Sequence, residues 1–202
     1  MSGNLFIVCA PSGAGKTSLV AELLKTDSNI RLSVSYTTRK PRPGEIDGRE
    51  YHFVDVQKFE EMTEDGAFLE SACVHGNCYG TSQPWIDAQR AAGADIMLEI
   101  DWQGAAQVRR LIPDAVGIFI LPPSMDALLS RLNNRAQDPP DVIAGRIAAA
   151  REEISHVSEF NYVIINDNFA EAVLDLVSII RARRLLASAQ LSRHSGLINR
   201  MT

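Results

Sequence analysis

A glycine-rich loop near the start of the chain carries the residue types that bind phosphate groups. It reads Ala10, Pro11, Ser12, Gly13, Ala14, Gly15, Lys16, Thr17 and Ser18. The loop follows the pattern G-x-x-x-x-G-K-S/T, except that alanine replaces the first glycine. Glycines leave backbone N–H groups free to surround an anion, and lysine adds positive charge. The loop therefore predicts a nucleoside triphosphate site, with Lys16 at the β- and γ-phosphates and the Thr17 hydroxyl on Mg²⁺.

A second group of polar residues follows in the stretch 35–51. Arg39 and Arg42 stand three positions apart on a loop stiffened by two prolines, and Tyr51 comes shortly after them. Forked guanidinium groups together with a phenol hydroxyl suit a phosphate monoester. A solvated basic loop is equally compatible with these residue types. From the residues alone, both interpretations stay open.

The apolar pattern predicts the elements that must position these residues. Residues 5–9 form a continuous apolar run, typical of a strand buried on both faces, and from Lys16 onward apolar residues recur at helical spacing. Further apolar strands are predicted at 96–100, 116–121 and 162–165, separated by helical patterns. Strands that alternate with helices predict an α/β fold with a parallel central sheet between two layers of helices.

Two stretches interrupt this alternation. Residues 33–85 contain short β patterns at 51–54 and 68–74 around a short helix at 59–64, which predicts an inserted mixed α/β subdomain. Residues 124–153 contain two helical patterns separated by an Asp-Pro-Pro break. Closer to the C-terminus, the sequence predicts a helix cap at Asn168, with Glu171 three residues on, and a long amphipathic helix through Leu186.

The composition is that of an ordinary globular protein. The 202 residues are 46% hydrophobic and 22% charged, with a net charge of −5, which disfavours fibrous and disordered classes and a nucleic-acid partner. No apolar run is long enough for a membrane span and no basic segment precedes residues 5–9, so we expect neither a membrane anchor nor export. Cys9, Cys73 and Cys78 indicate neither a disulfide framework nor a zinc site, and they favour a reducing cytoplasm.

Several motifs resemble the guanylate kinase family of the bacterial type, in matching order over residues 5–185. They are the phosphate loop, the S-x-T-T-R-x-P-R-x-G-E segment at 35–45, and the segments 76–81, 100–104 and 165–167. The resemblance implies a P-loop nucleoside monophosphate kinase that uses Mg²⁺ and transfers the γ-phosphoryl group of ATP to GMP, giving ADP and GDP. It also implies a single domain, 1–202, with a core at 1–32, 86–123 and 154–202, a GMP-binding subdomain at 33–85 and a helical lid at 124–153.

The resemblance also implies roles for individual residues. The GMP phosphate would be held by Arg39, Arg42, Tyr51 and Tyr79, and the guanine base read by Ser35, Glu70 and Thr81 with Asp101 nearby. The lid arginines would be Arg131, Arg135 and Arg146, which together with Lys16 and Arg39 form the predicted catalytic set. Guanine offers two adjacent N–H donors to a carboxylate, whereas adenine does not, so such a site rejects the wrong base.

The chain departs from the family pattern at a few positions. Glu99 stands where the family usually has aspartate, and Cys78 where an aromatic residue is usual. Asn133, Asn134 and Ala136 replace a glycine-containing turn around Arg135. Self-association of the chain stays open from the sequence.

Two other functions are possible for such a sequence: a kinase for a different nucleoside monophosphate, and a protein-interaction module without catalytic activity. A P-loop kinase for AMP, UMP or dTMP would leave Ser35, Glu70 and Thr81 without matching donors and acceptors. A non-catalytic interaction module of the same fold would be expected to have a degraded phosphate loop, whereas Lys16 and Thr17 are intact here.

Overall fold

Helices and strands alternate through most of the chain in the computed structural model, which describes residues 2–74, 76–134 and 140–201. In chain order the elements are β1 (Leu5–Cys9), α1 (Lys16–Thr26), β2 (Ile30–Leu32), β3 (Tyr36–Thr37), β4 (His52–Phe53), α2 (Val56–Glu64), β5 (Phe68–Val74), β6 (Asn77–Ser82), α3 (Gln83–Ala91), β7 (Asp95–Glu99), α4 (Trp102–Leu111), β8 (Val116–Leu121), α5 (Met125–Asn134), α6 (Pro140–Ser155), a 3-10 turn (Val157–Glu159), β9 (Tyr162–Ile165), α7 (Phe169–Arg184), α8 (Ala187–Arg193) and α9 (Ser195–Ile198).

The central sheet is parallel throughout, as the sequence predicts. Its strand order is β2-β7-β1-β8-β9, so the first strand of the chain lies in the middle. Strands β1, β8 and β9 have the predicted bounds, and β7 begins and ends one residue earlier than predicted. The apolar pattern did not predict β2, a three-residue edge strand with a charged residue at its centre.

Both faces of the central sheet are buried under helices. Successive residues of a strand point to opposite faces, and those of β1 divide accordingly. Phe6 and Val8 belong to an apolar cluster with side chains of α1 and α7. Leu5 and Ile7 belong to a second cluster, with side chains of α3 and α4. This double burial is the physical reason for the continuous apolar run that marks β1 in the sequence.

A second, smaller sheet has the order β4-β3-β6-β5 and mixed strand directions. Strand β6 pairs antiparallel with both β5 and β3, and β4 pairs parallel with β3. The Gln107 side chain on α4 accepts from the backbone N–H of Ser71 at 3.1 Å and donates to its carbonyl at 2.8 Å. These two bonds fix β5, and with it Glu70, beside helix α4.

The C-terminal helix is shorter than the sequence predicts. The cap at Asn168 is confirmed, because its side chain accepts from the N–H groups of Ala170 and Glu171. Helix α7 nevertheless ends at Arg184, where the Gln190 side chain donates to the Arg184 carbonyl at 2.8 Å, and α8 starts afresh at Ala187. Within the described parts of the chain, no helix combines the length and apolar character that a membrane crossing requires.

Candidate active site

A cleft of about 500 Å³ opens at the carboxyl ends of β1 and β7, the edge of an open α/β sheet where ligands bind. Its wall combines the phosphate loop, the second sheet, the loop after β7 and helix α6. Among the predicted site residues, those that line it are Ala10, Pro11, Ser12, Gly13, Gly15, Lys16, Thr17, Ser18, Ser35, Arg42, Tyr51, Glu70, Tyr79, Asp101 and Arg146. Four further predicted site residues do not line it, namely Ala14, Arg39, Thr81 and Arg131. Arg135 falls outside the described residues.

The phosphate loop is shaped by two left-handed glycines and one buried amide. Gly13 and Gly15 have φ values of 96° and 98°, which residues with a Cβ rarely adopt. The Asn166 side chain, which follows β9, donates to the Ala14 carbonyl at 2.7 Å. A Cβ at position 15 would lie only 2.3 Å from Asn166 Nδ2. Gly15 is therefore required both for its conformation and for the close approach of Asn166.

Lys16 and Thr17 begin helix α1 at the floor of the cleft. The Lys16 ammonium donates a long hydrogen bond, 3.5 Å, to the carbonyl of Ile100 at the end of β7. The Thr17 hydroxyl donates to Oε2 of Glu99 at 3.1 Å. Although Glu99 departs from the usual aspartate, its longer side chain reaches the hydroxyl next to the phosphate loop.

Glu70 is a carboxylate almost entirely removed from water. Its side chain on β5 is 5% exposed, and the fully buried Thr81 on β6 donates to its Oε1 at 2.5 Å. The Ser35 hydroxyl lies 3.5 Å from that of Thr81. Burial raises the pKa of Glu70 to about 7, because the charged form loses its hydration, and the hydrogen bond from Thr81 only partly opposes this.

The loop after β7 completes this side of the cleft. Asp101 caps helix α4 by accepting from the Gly104 N–H at 2.8 Å. A Cβ at position 104 would come within 2.5 Å of Glu70 Oε2. Glycine there allows the buried carboxylate to lie directly against the start of α4, next to Asp101.

Arg39 is held in place by Glu45, the acid that ends the 35–45 motif and to which the sequence assigns no separate role. Its Nη2 donates to Glu45 Oε1 at 2.8 Å, and the other Glu45 oxygen accepts from the Arg42 backbone N–H at 2.6 Å. The Arg39 guanidinium lies 5.3 Å from the centre of the Tyr51 ring, which stands 5.9 Å from that of Tyr79. Arg42, Tyr51 and Tyr79 face the cleft, whereas Arg39 lies just behind them.

Helix α5 packs directly on the phosphate loop. Arg131 Nη2 donates to the Asn166 carbonyl at 2.9 Å, and Nη1 makes a longer bond of 3.4 Å to the Ala14 carbonyl. Leu128 and Leu132 come to 3.1 Å from the position a Cβ at residue 13 would take. Asn166 belongs to a motif singled out in the sequence, but its contact with the loop joins residues 152 positions apart and could not be inferred.

Helix α6 contributes one predicted and one unpredicted charge to the cleft. Arg146 and Glu153 are seven residues apart, which places them on the same helix face two turns apart. Oε2 of Glu153 is buried and has no hydrogen-bond partner within the described part of the chain. Burial raises the pKa of Glu153 to about 7, with the positive charge of Lys16 opposing the rise and the negative charge of Asp101 adding to it.

The expectation that the cysteines form no disulfide is wrong. Cys73 and Cys78 are disulfide-bonded, at facing positions of the β5–β6 hairpin and next to Tyr79. Two cysteines five residues apart across a tight turn are brought together by strand pairing, a signal that a search for C-x-x-C spacing misses. Cys9 is free and buried. The cysteine content therefore no longer supports a reducing compartment.

Comparison with known proteins gives consistent matches over the whole chain. A family model described as guanylate kinase matches residues 2–183. The chain is 59% identical over 201 residues to a guanylate kinase of Dechloromonas aromatica (strain RCB) and 61% identical over 201 residues to one of Methylobacillus flagellatus, with 100% of both chains covered in each case. A crystal structure of guanylate kinase from Anaplasma phagocytophilum superposes with a TM-score of 0.76 at 32% identity, covering 95% of each chain.

Proposed function

Because this chain belongs to the guanylate kinase family and transfers the γ-phosphoryl group of ATP to GMP, giving ADP and GDP, we propose that the cleft performs this transfer with ATP on the phosphate loop and GMP on the second sheet. In this proposal residues 1–32, 86–123 and 154–202 form the core, 33–85 bind GMP and 124–153 form the lid. The separate hydrogen bonding of the two sheets supports the division between core and GMP-binding part.

The triphosphate lies on residues 10–18 in this proposal. The left-handed glycines shape the loop at the N-terminus of α1, where the helix dipole and the backbone N–H groups of the first helical turn favour negative charge. Lys16 then reaches the β- and γ-phosphates. Its contact with the Ile100 carbonyl is long, so phosphate oxygens can replace it at little cost.

Mg²⁺ fits beside Thr17. An alcohol oxygen and the Glu99 carboxylate lie 3.1 Å apart next to the phosphate loop, and Mg²⁺ takes few protein oxygens together with phosphate and water oxygens. We propose that Thr17 ligates the ion and that Glu99 orients its water ligands. When bound, the ion neutralises charge on the phosphates.

In this proposal one GMP molecule lies along the second sheet, with its phosphate and its base held by two different groups of residues. Arg39, Arg42, Tyr51 and Tyr79 hold its phosphate, and the Glu45 bridge presets the two arginines before GMP arrives. Ser35, Glu70 and Asp101 contact the base, and ionised Glu70 accepts from guanine N1–H and N2–H. Thr81, buried behind Glu70, takes part by donating to its carboxylate.

The lid arginines stabilise the transferring phosphoryl group in this proposal. Its equatorial oxygens carry the charge in a loose transition state, so catalysis depends on positioning and on cations. Arg146 already faces the cleft, and Arg131 lies on the phosphate loop. Arg135 completes the set by resemblance alone. The attacking phosphate oxygen of GMP needs no general base, because it is already anionic at neutral pH.

The observation that carries the base assignment is a buried carboxylate, Glu70, in the same cleft as Lys16. The test is ADP release with ATP, Mg²⁺ and each of GMP, AMP, UMP and dTMP in turn. GMP is expected to turn over at least about 10⁴ times more efficiently than AMP. Comparable turnover of another monophosphate would overturn the guanine assignment, and no turnover with any acceptor would favour the interaction module.

The phosphate-loop assignment is tested separately with Lys16→Ala. We expect a loss of at least about 10²-fold in kcat, because charge stabilisation of the phosphoryl group is removed. Lys25→Ala is the matched control, since Lys25 lies on the same helix but is exposed and pairs with Glu22 at 2.8 Å. Full activity of Lys16→Ala would contradict the proposed role.

We also propose that the enzyme acts in the cytoplasm, on the nucleotide pool that supplies ATP and GMP. Fractionation of cells, with the enzyme traced by activity, tests this. Self-association of the chain is a further proposal, and sedimentation of the purified protein over a range of concentrations tests it.

A further inference from the structure

Glu153 is a charged side chain in the cleft for which the proposed reaction has no task. It shares the cleft-facing side of α6 with Arg146. Its Oε2 is buried and receives no hydrogen bond within the described part of the chain. A buried carboxylate oxygen without a donor is costly, and a native site keeps one where a neighbouring charge or a ligand offsets the cost.

Lys16 lines the same cleft as Glu153, and its positive charge favours the ionised form of this carboxyl group. The Lys16 side chain is long and flexible, and in the described part of the chain its ammonium makes one hydrogen bond, 3.5 Å long, to the Ile100 carbonyl. Asp101, the other carboxylate close to both groups, already accepts from the Gly104 N–H. Glu153 lines the same cleft, and its buried Oε2 accepts no hydrogen bond within the described part of the chain.

Phosphate groups on the loop would add negative charge close to Glu153. Two anions close together in a partly buried cleft repel strongly unless a cation lies between them. Lys16 is the cation that both anions share, since the proposed reaction places it at the β- and γ-phosphates and it lies within electrostatic reach of Glu153.

We propose that Glu153 is a positioning residue that holds the Lys16 ammonium toward the transferring phosphoryl group from the side of the lid helix. This inference rests on the proposed role of Lys16. Because Glu153 and Arg146 lie on one face of α6, movement of this helix toward the phosphates brings both side chains in together. The lid therefore delivers Arg146 and orients Lys16 in one step.

The first test is Glu153→Gln, which keeps the shape and removes the charge. We expect kcat to fall about tenfold while KM for GMP stays within about twofold, because Lys16 is misaligned in the transition state and the GMP site is untouched. Glu152→Gln is the matched control, since Glu152 is the exposed neighbour on the same helix, and it should keep the parent kcat. Glu153→Asp should recover part of the loss.

The pH profile gives a readout that a purely structural role would not change. With ATP and GMP saturating, kcat of the parent should rise with pH as Glu153 ionises. In Glu153→Gln this rise of kcat should be absent. The charged groups that act on Glu153 are Lys16, Asp101 and Glu152, and Arg146 lines the same cleft; all four are kept in the variant. An unchanged profile, or a kcat loss that only follows a lower melting temperature, would overturn the inference.

A double-mutant cycle with Lys16→Arg tests whether Glu153 acts through Lys16. Arginine keeps the charge but changes the position of the donors. If the two residues act as a pair, Glu153→Gln should lower kcat by a clearly smaller factor in the Lys16→Arg background than in the parent. Losses in kcat that multiply independently would contradict the pairing. Failure of the proposed function is distinguishable, because it would show as no turnover with any acceptor or as comparable turnover of another monophosphate, and failure of the role of Lys16 would show as full activity of Lys16→Ala. Parent-like kcat of Glu153→Gln, with Lys16→Ala inactive, would refute this inference alone.

Discussion

The hydroxyl of Thr81 lies 2.5 Å from Oε1 of Glu70, and both side chains are almost completely shielded from water. One acceptor oxygen of the carboxylate is therefore fixed in direction before any base enters. The same burial raises the pKa of Glu70 to about 7. In the role proposed for Glu70, only the ionised form can accept from both N–H donors of guanine, so we expect recognition of the base to depend on pH.

KM for GMP should fall about tenfold as the pH rises from 6 to 8, because the fraction of ionised Glu70 increases over this range. Steady-state rates at saturating ATP measure this. The GMP phosphate also titrates near pH 6 and contributes to the pH dependence of KM. Glu70→Gln separates the two contributions, because only that of the GMP phosphate is left in the variant. The variant should also discriminate poorly between GMP and AMP. A pH dependence equal in parent and variant would contradict the role of Glu70.

Ionisation of Glu70 should lower the stability of the folded protein, although it should favour GMP binding. A carboxyl with a raised pKa keeps a proton in the folded state that the unfolded chain releases from about pH 4.5, so the free energy of unfolding falls as the pH rises toward 7. In Glu70→Gln, the fall in the free energy of unfolding with rising pH should be smaller by up to about 3 kcal/mol. Urea unfolding of parent and variant at pH 5 and 8 measures it, and equal losses in both would count against a buried, titrating Glu70.

Gly15→Ala should abolish tight ATP binding, because the added Cβ would lie 2.3 Å from Asn166 Nδ2. The contact between Asn166 and the Ala14 carbonyl would have to break and the loop would change shape. Gly44→Ala is the control, since Gly44 has a similar φ of 87° with nothing within 4 Å of the added carbon. Calorimetry with a non-hydrolysable ATP analogue compares them, and equal affinities would show that the Asn166 contact is unimportant.

Arg184→Met should destabilise the protein by about 3 to 5 kcal/mol without changing the activity of the folded enzyme. Arg184 pairs with Asp27 at 2.5 Å and with Asp95 at 2.6 Å, and Asp95 is only 1% exposed, so the substitution leaves a buried charge without its cation.

Arg183→Met provides the comparison for this change. Arg183 contacts the exposed Asp114 at 3.5 Å, and such surface pairs contribute at most about 1 kcal/mol. Denaturant unfolding of both variants gives the two values. Similar losses for the two arginines would contradict the importance of the buried pairs.

Reduction of the Cys73–Cys78 disulfide should lower the free energy of unfolding by about 2 kcal/mol, since the bond closes a short loop in the unfolded chain. Unfolding with and without a reducing agent measures this. Cys73→Ser with Cys78→Ser should be insensitive to the agent, and Cys9→Ser should keep the full response, because Cys9 is free. A parent protein that ignores the reductant would contradict the prediction.

Local pattern in the sequence was sufficient for the central sheet and the phosphate loop. Strand β1 is recognisable because both its faces are buried, and Lys16 and Thr17 are placed by the glycines that immediately precede them. The second sheet was only partly predictable, since β3 has two residues and β6 contains residues with weak strand preference. The roles proposed for the arginines and for Glu70 come from family resemblance, because residue type alone leaves them open.

Only the tertiary structure decided the contacts that tune the site. Asn166 meets Ala14 across 152 residues, Thr81 lies behind Glu70 rather than on the cleft surface, and Glu153 comes into electrostatic reach of Lys16. Such contacts join elements distant in sequence, and no local period or spacing encodes them. The sequence by itself determined which chemical groups are present and on which elements they stand. The packing of those elements decided which groups are desolvated and which charges share one cleft, because burial and distance together set their pKa values and their partners.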